Sequence, residues 1–549
     1  MARTALGRGL ARVAAQHRTA DALGVAVEQV QAMADDEVRT GLTRRGLLTG
    51  AAVLGSAAAL GQLPSAVGTA HAAAATAPRI AVVGAGIAGL AAALRLNDSG
   101  VACTVYEADT RVGGRMSTDT STWAGGQVTE WGGELVDSGH KTIQSLARRF
   151  GIPLDDLLQA EPPSAEPTYF FDGSYYPYAT ATKDFQAVHQ AVSTDMKTFT
   201  WPVLWNSSTA GGVALSDLSL RDWIATRVPG GLASRMGKLL DVAYTIEYGG
   251  PTRDQTALNL LGLLGYQPSP GQFAVFGLSD ERYHLRGGNQ RLPQAMAAAL
   301  PAGAVRTGWR LTRLATGADG TQTLTFSTGG STRTVTADHT VLALPLGVLQ
   351  NLDLSAAGFD ARKTGQITAM RMGSSAKLQL QFSGRPWNAT GAWPGVSSGE
   401  TFSDTGYQTT WDASRAQAGA EGILVDFTGG PAAAAYDPGR PFSDQTDPAV
   451  VTAAKAFLRQ IEPVYPGITA RWNGRATLAA WPRNPLSAGA YSYWPTGYCQ
   501  RYAGYERVRQ GRTYFAGEHC SIDFQGYMEG GAAEGQRAAA EVLADLGVK

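Results

Sequence analysis

Residues 79–116 read RIAVVGAGIAGLAAALRLNDSGVACTVYEADTRVGGRM, and this stretch decides the fold. A short apolar, β-branched run, Ile80 to Val83, leads into Gly84-Ala85-Gly86-Ile87-Ala88-Gly89, and an Ala/Leu-rich helix follows until Gly100 closes it. A second strand, Val101 to Tyr106, ends at Glu107. In a strand–turn–helix of this kind the glycines have separate tasks. Gly84 permits the tight turn, Gly86 lets a pyrophosphate approach the backbone, and Gly89 lets the helix lie against the sheet. The unpaired N–H groups at the helix start, around Ile87 and Ala88, meet the phosphate charge. Glu107 and the adjoining Ala108 lie where a ribose is expected, because the acid comes eighteen residues after Gly89 and can accept the ribose hydroxyls. A chain with 67 glycines offers such a motif by chance. It carries weight here because strand, helix and acid accompany it in order.

The next residues choose the dinucleotide. Arg111-Val112-Gly113-Gly114-Arg115 follows the acid directly, and a nicotinamide dehydrogenase has no need of it. The pattern E-A-x-x-R-x-G-G-R resembles that of the flavin amine oxidase family, in which a second glycine loop and an arginine, here Gly114 and Arg115, hold FAD. The C-terminal part is similar to the family's closing FAD segment. It reads Tyr514-Phe515-Ala516-Gly517-Glu518-His519, then Gly526-Tyr527-Met528-Glu529-Gly530, then a helical run from Glu534 to Leu546. In between, Leu285-Arg286-Gly287-Gly288-Asn289-Gln290 and Thr340-Val341-Leu342-Ala343-Leu344-Pro345 are also family-like, so the resemblance spans about residue 78 to the end. It implies cofactor contacts from Gly132, Gly133, Glu134, Leu135, Arg310, Gly517, Glu518, Gly526, Tyr527 and Met528, besides those of the first motif.

Bulk properties narrow the class further. Net charge is zero and charged residues make up 17%, so no nucleic-acid partner is indicated. The three cysteines, Cys103, Cys499 and Cys520, form no C-x-x-C pair and the seven histidines are scattered, so no metal site is expected. A Cys499–Cys520 disulfide stays open. Near the start, Thr43-Arg44-Arg45-Gly46-Leu47-Leu48 precedes a mildly apolar run to about Leu63, and Ala70-His71-Ala72 offers a small-x-small cleavage site. This resembles a twin-arginine export signal, a route that carries proteins already folded around their cofactor. A low-complexity linker with a chance arginine pair is the other reading. Residues 1–42 are a long, mixed-charge leader without a clear role. No apolar run of about 18 residues lies near the C-terminus, so the family's mitochondrial-type anchor is not expected.

Three blocks carry the cofactor motifs, and they set the domain expectation: 78–145, 280–350 and 476–549 form the FAD-binding domain, 146–279 and 351–475 the substrate domain, and 1–77 the leader and signal. The fold class is α/β, a doubly wound Rossmann-like FAD domain with an interleaved α+β substrate domain. Residues 146–279 read as helical, with Ser219 capping Leu220-Arg221-Asp222-Trp223. The alternating run Ala376-Lys377-Leu378-Gln379-Leu380-Gln381-Phe382 has the period of a half-buried strand.

Lys377 stands in that strand. Strand register could turn it to solvent, the usual fate of lysine, whereas an inward lysine needs a partner or a role. The resemblance favours a role: in flavin amine oxidases a lysine on this strand holds a water at flavin N5 and assists oxygen reactivity. Tyr491 and Tyr527 match the two aromatic residues that flank the amine, where ring faces attract and confine it; two packed core tyrosines are the bland alternative. Relatives with protein-bonded flavin carry a cysteine just before the first tyrosine, and Ala490 stands there, so FAD is expected to be non-covalent. L-amino acid oxidases place an arginine in the loop after the second glycine motif to clamp the substrate carboxylate. The matching loop, Trp131-Gly132-Gly133-Glu134-Leu135-Val136-Asp137-Ser138, has Leu135 at that place. Arg282 or Arg286 could supply the clamp instead, and Glu134 or Asp137 could favour a diamine or polyamine.

The expected activity is oxidation of a primary or secondary amine. Hydride equivalents pass to flavin N5, the imine hydrolyses, and O2 reoxidises the flavin to give hydrogen peroxide. The partners are then a small-molecule amine and O2, without nucleic acid or membrane anchor, in an exported protein; oligomeric state, a homo-oligomer included, stays open. The rivals are an L-amino acid oxidase on the same fold, a flavin desaturase, and a non-catalytic flavin-binding protein.

Overall fold

The computed structural model describes residues 77–548 apart from Pro268, so the leader and its Arg44-Arg45 pair lie outside the described residues. The run Ile80–Val83 is a strand buried on both faces. It pairs in parallel with His339–Leu342 on one side and Thr104–Tyr106 on the other. Thr513–Phe515 and Val305–Arg306 extend these to an all-parallel sheet of five strands. Alternation divides the side chains. Ile80, Val82, Val105 and Val341 share a core with the helices Ile87–Asp98 and Met528–Asp545. Ala81, Val83, Tyr106 and Leu342 pack against Leu311, Leu314, Leu324 and Phe326 of a four-stranded sheet. A parallel sheet needs cover on both faces, which is why its strands read as unbroken apolar runs. The α/β class expected from the opening motif is the one observed.

A second, mixed sheet of eight strands runs in the order Phe442–Asp444, Trp472–Ala480, Ser375–Phe382, Gly422–Gly429, Thr409–Asp412, Val396–Ser403, Ala165–Phe171, Ser174–Tyr176. Helix Pro448–Ile461 covers one face, sharing a core with Leu378, Leu380 and Phe382. Helices Tyr178–Met196, Leu220–Arg227, Arg235–Tyr248 and Ala257–Leu264 build a separate core beside the sheet's other end. Ser219 does cap its helix, its hydroxyl accepting from the Asp222 N–H at 3.0 Å.

The structure differs from the sequence reading at four places. The aromatic run Tyr169-Phe170-Phe171 with Tyr175 and Tyr176 lies on a hairpin and not in a helix; β propensity of consecutive aromatics outweighs the helical pattern around it. Every residue of Ser375–Phe382 is buried, so this strand is not half-buried. Its polar positions face protein: Gln379 donates to Glu130 O at 3.2 Å and Gln381 to Gln127 Oε1 at 2.8 Å. The strand Trp472–Ala480 crosses the 475/476 line and belongs wholly to the second sheet, and Asp353–Ala356, placed after the 350/351 line, pairs with Arg310–Thr316 of the sheet that covers the parallel one. Cys103, Cys499 and Cys520 are free thiols, and Cys520 instead donates to Glu506 O at 3.6 Å. No helix among the described residues is long and apolar enough to cross a membrane.

Candidate active site

One cavity of about 320 Å³ gathers the catalytic tyrosines and lysine and every cofactor-binding residue nominated from the sequence except Gly89. Gly89 does the packing task read from the motif, since a Cβ there would meet Gly84 O at 1.9 Å. The helices Ile87–Asp98 and Met528–Asp545 both begin at the cavity wall, and neither N-cap residue, Gly86 or Tyr527, supplies a side-chain cap. Ile87, Ala88, Met528 and Gly531 from these first turns line the wall. Two uncapped helix starts at one cavity make a strong anion site. A Cβ on Gly86 would find nothing within 4 Å, so the backbone is open to a close ligand there. Glu107 lies on the same wall, its carboxylate accepting from the N–H groups of Ala85 at 2.6 Å and Asp109 at 2.8 Å. Arg310 lines the cavity beside it, with its side chain exposed.

The middle of the cavity is pinned by two buried ion pairs. Arg115 donates to Glu518 at 2.9 Å and to Ala490 O at 2.7 Å. Glu518 also accepts from Ser492 Oγ at 2.8 Å and Gly526 N at 3.0 Å, so one carboxylate ties together three distant segments. Burial alone would raise this carboxyl, but Arg115 and His519 hold it below its ordinary value. Glu518 thus positions the loops around the cavity.

The second pair is Lys377 with Glu134. Lys377 lies opposite Phe427 and Ala479 in its strand, and its Nζ donates to Glu134 Oε2 and to Gly132 O, both at 2.7 Å. Glu134 Oε1 accepts from the Trp411 indole at 2.9 Å. Burial pushes the Glu134 carboxyl up, and the Lys377 charge more than offsets it, leaving a carboxylate below the usual range. An ammonium has three N–H donors; two are taken, and among the described residues the third has no protein acceptor. It is available to the cavity that Lys377 lines. Asn289, from the Leu285–Gln290 motif, holds the loop beneath by donating to Gly133 O and Glu134 O at 2.9 and 2.7 Å. A side chain on Gly132 would collide with Arg115 O at 2.0 Å and the Trp481 ring at 2.8 Å, which accounts for glycine there.

At the tyrosine end, Tyr491 and Tyr527 line the wall beside the start of Met528–Asp545, and the last turn of helix Arg235–Tyr248 anchors both. The Tyr491 hydroxyl donates to Ile246 O at 3.0 Å, and that of Tyr527 to Glu247 Oε1 at 2.8 Å. His140 sets an edge against the Tyr527 ring at 5.3 Å between centroids. Burial lowers this imidazole to about 4, against the opposing charges of Glu529 and Asp280, so it is neutral. Phe276, Phe402, Trp411 and Phe427 provide apolar wall.

Three acids at this end escape the sequence reading: Glu247, Glu281 and Glu400. Burial, with the charge of Asp137 adding to it, raises Glu247 to about 7. Burial raises Glu400 to about 7 and Glu281 far above its ordinary value. Asp137, nominated from sequence, does not line the cavity; it accepts from the Glu281 N–H at 2.9 Å. The arginines proposed as alternative clamps are committed elsewhere. Arg282 pairs with Asp156 at 2.6 Å and Arg286 with Asp155 at 2.7 Å, and neither reaches the cavity.

The profile described as flavin containing amine oxidoreductase matches residues 87–543. An L-amino-acid oxidase of Mus musculus is 24% identical over 491 residues, covering 85% of this chain and 71% of that protein. Polyamine oxidase 1 of Oryza sativa subsp. japonica is 28% identical over 471 residues, 76% of this chain and 85% of the rice protein. Among solved structures, the cyclohexylamine oxidase of Brevibacterium oxydans IH-35A superposes with a TM-score of 0.71 at 20% identity, covering 86% of this chain and 99% of that one.

Proposed function

This chain belongs to the flavin-containing amine oxidoreductase family, and on that premise we propose that it holds FAD without a covalent link and oxidises an amine bearing no carboxylate beside the reacting carbon. It is a flavin-dependent oxidoreductase acting on amines. One observation carries the finer reading: the arginines that line the cavity are Arg111, Arg115 and Arg310, from the nucleotide-side segments, and none comes from the segments around Tyr491 and Tyr527. Arg111 donates to Gly114 O at 2.7 Å and Arg115 is held by Glu518. A substrate carboxylate at the tyrosine end would meet glutamates and a guanidinium, that of Arg115, already committed to Ala490 O and Glu518.

The flavin supplies a two-electron acceptor that O2 reoxidises, yielding hydrogen peroxide. The uncapped start of Ile87–Asp98 suits its pyrophosphate and Glu107 its ribose, while the start of Met528–Asp545, next to Tyr527, would face the flavin. Arg115 and Glu518 hold the loops that close over it. Tyr491 and Tyr527 confine the amine between anchored rings, and Lys377 offers its remaining N–H to a water in the cavity. The amine must be neutral at nitrogen to react, so activity is expected to rise toward alkaline pH.

Ala490 lines the cavity where a thiol would make the covalent link. Acid or heat precipitation is therefore expected to release yellow FAD into the supernatant; a yellow protein pellet would contradict this. For localisation we propose export through the Arg44-Arg45 signal. Changing both arginines to Lys is expected to retain the flavin-loaded protein in the cytoplasm, and undiminished export of that variant would make the pair incidental.

A further inference from the structure

Two ring faces attract an amine as a cation, whereas its oxidation needs the lone pair of the nitrogen free. An alkylammonium keeps its proton in water up to about pH 10.4, so a proton has to leave the substrate within the site. Few groups around Tyr491 and Tyr527 can take it. Lys377 is itself a cation, and Glu134 is committed to Lys377 and Trp411. Glu518 is committed to Arg115 and Ser492. Glu281 and Glu400 line the cavity, but no described residue holds either carboxyl in place. Glu247 is fixed by the rings themselves. Its Oε1 accepts from the Tyr527 hydroxyl at 2.8 Å, while its Oε2 has no hydrogen-bond partner among the described residues and belongs to a side chain that lines the cavity. The preceding carbonyl, Ile246 O, accepts from the Tyr491 hydroxyl at 3.0 Å, so this one helix end meets both rings. A carboxylate with one oxygen oriented and the other open to the substrate has the geometry of a general base.

We propose that Glu247 is the general base of amine oxidation, its Oε2 taking a proton from the substrate ammonium held at Tyr491 and Tyr527. In that step an N–H bond breaks, its electron pair stays on nitrogen, and the proton joins the carboxylate. Overall the ammonium loses two hydrogens with two electrons to become an iminium, and O2 gains both as hydrogen peroxide. No net proton is released, so Glu247 gives its proton back in the peroxide-forming half. Burial, with the charge of Asp137, places this carboxyl at about 7, where a base is ionised yet still basic at neutral pH. The groups that face it are Tyr491, Tyr527, Asp137 and Glu281 from other elements and Tyr244 and Tyr248 from its own helix, and none of these is a cation. The rise of activity with pH therefore ends near the value of Glu247 and not at that of the amine. This inference rests on the amine-oxidase reading and adds the proton acceptor to it.

The test measures the second-order rate of anaerobic flavin reduction in the FAD-loaded full chain by stopped flow, with 1-aminopentane and with benzylamine, from about pH 6 to about pH 10. In the wild type the rate is expected to rise to about pH 7 and then level off with both amines. Glu247→Gln keeps the side chain's shape and an acceptor for the Tyr527 hydroxyl, and leaves only the neutral amine to react. Its rate is expected to fall on the order of 100-fold or more near neutral pH, to climb about tenfold per pH unit, and to come within about threefold of the wild type near the pKa of the amine. A wild-type rate that climbs without levelling to the pKa of each amine overturns the assignment, leaves the amine-oxidase reading intact and needs no variant. A Glu247→Gln profile parallel to that of the wild type also overturns it, because a purely structural loss does not move the pH dependence. If neither amine reduces the flavin and an L-amino acid does, the amine-oxidase reading fails and the assignment of the base with it.

Discussion

Replacing Lys377 by Met should slow reoxidation of the reduced enzyme by O2 roughly 100-fold, the lower range for a positioned proton-transfer group, while anaerobic reduction by the amine falls far less. Methionine keeps length and apolar bulk, so the strand Ser375–Phe382 loses only the ammonium. That ammonium bonds Gly132 O and Glu134 and keeps one N–H for the cavity. Its removal also leaves Glu134 buried beside an apolar neighbour, and the carboxyl, now held down by Lys377, will take up a proton. The Lys377→Met/Glu134→Gln variant separates the effects: it removes the stranded acid, so any slow reoxidation that persists belongs to the lysine. Stopped-flow traces with reoxidation unchanged in Lys377→Met would remove Lys377 from the catalytic residues.

The cofactor half of this site was legible because its chemistry is local. A phosphate-binding turn needs glycines, a helix start and an acid at fixed spacing, and Gly84 to Glu107 carry all three in one continuous stretch. Lys377 was legible through the family resemblance, since by alternation it shares the polar face of its strand with Gln379 and Gln381. What alternation could not show is that this face is also covered: Gln379 and Gln381 look solvent-facing in sequence, yet they bond Glu130 and Gln127. The acids Glu247, Glu281 and Glu400 left no local signal at all. They come from distant segments, and each alone resembles any surface glutamate near a helix end, a loop or a strand. Only the tertiary fold brings them to one wall. The same limit explains the strand Trp472–Ala480, whose membership in the second sheet depends on its pairing with Ser375–Phe382.

Substrate class is the central claim. Leu135 lines the cavity where a clamping arginine would be expected, and the wall around Tyr491 and Tyr527 carries glutamates and one arginine, Arg115, already bonded to Ala490 O and Glu518. A carboxylate brought to this end would be buried without a partner and beside like charge, costing about 4 kcal/mol or roughly three orders of magnitude in kcat/KM. The most direct measurement is the peroxide-forming kcat/KM of the purified enzyme on matched pairs, tyramine against L-tyrosine and cadaverine against L-lysine. In at least one pair the amine should be oxidised at least ~100-fold more efficiently than the amino acid with the same side chain. An amino acid that outperforms its amine in both pairs would contradict the account and make this enzyme an L-amino acid oxidase.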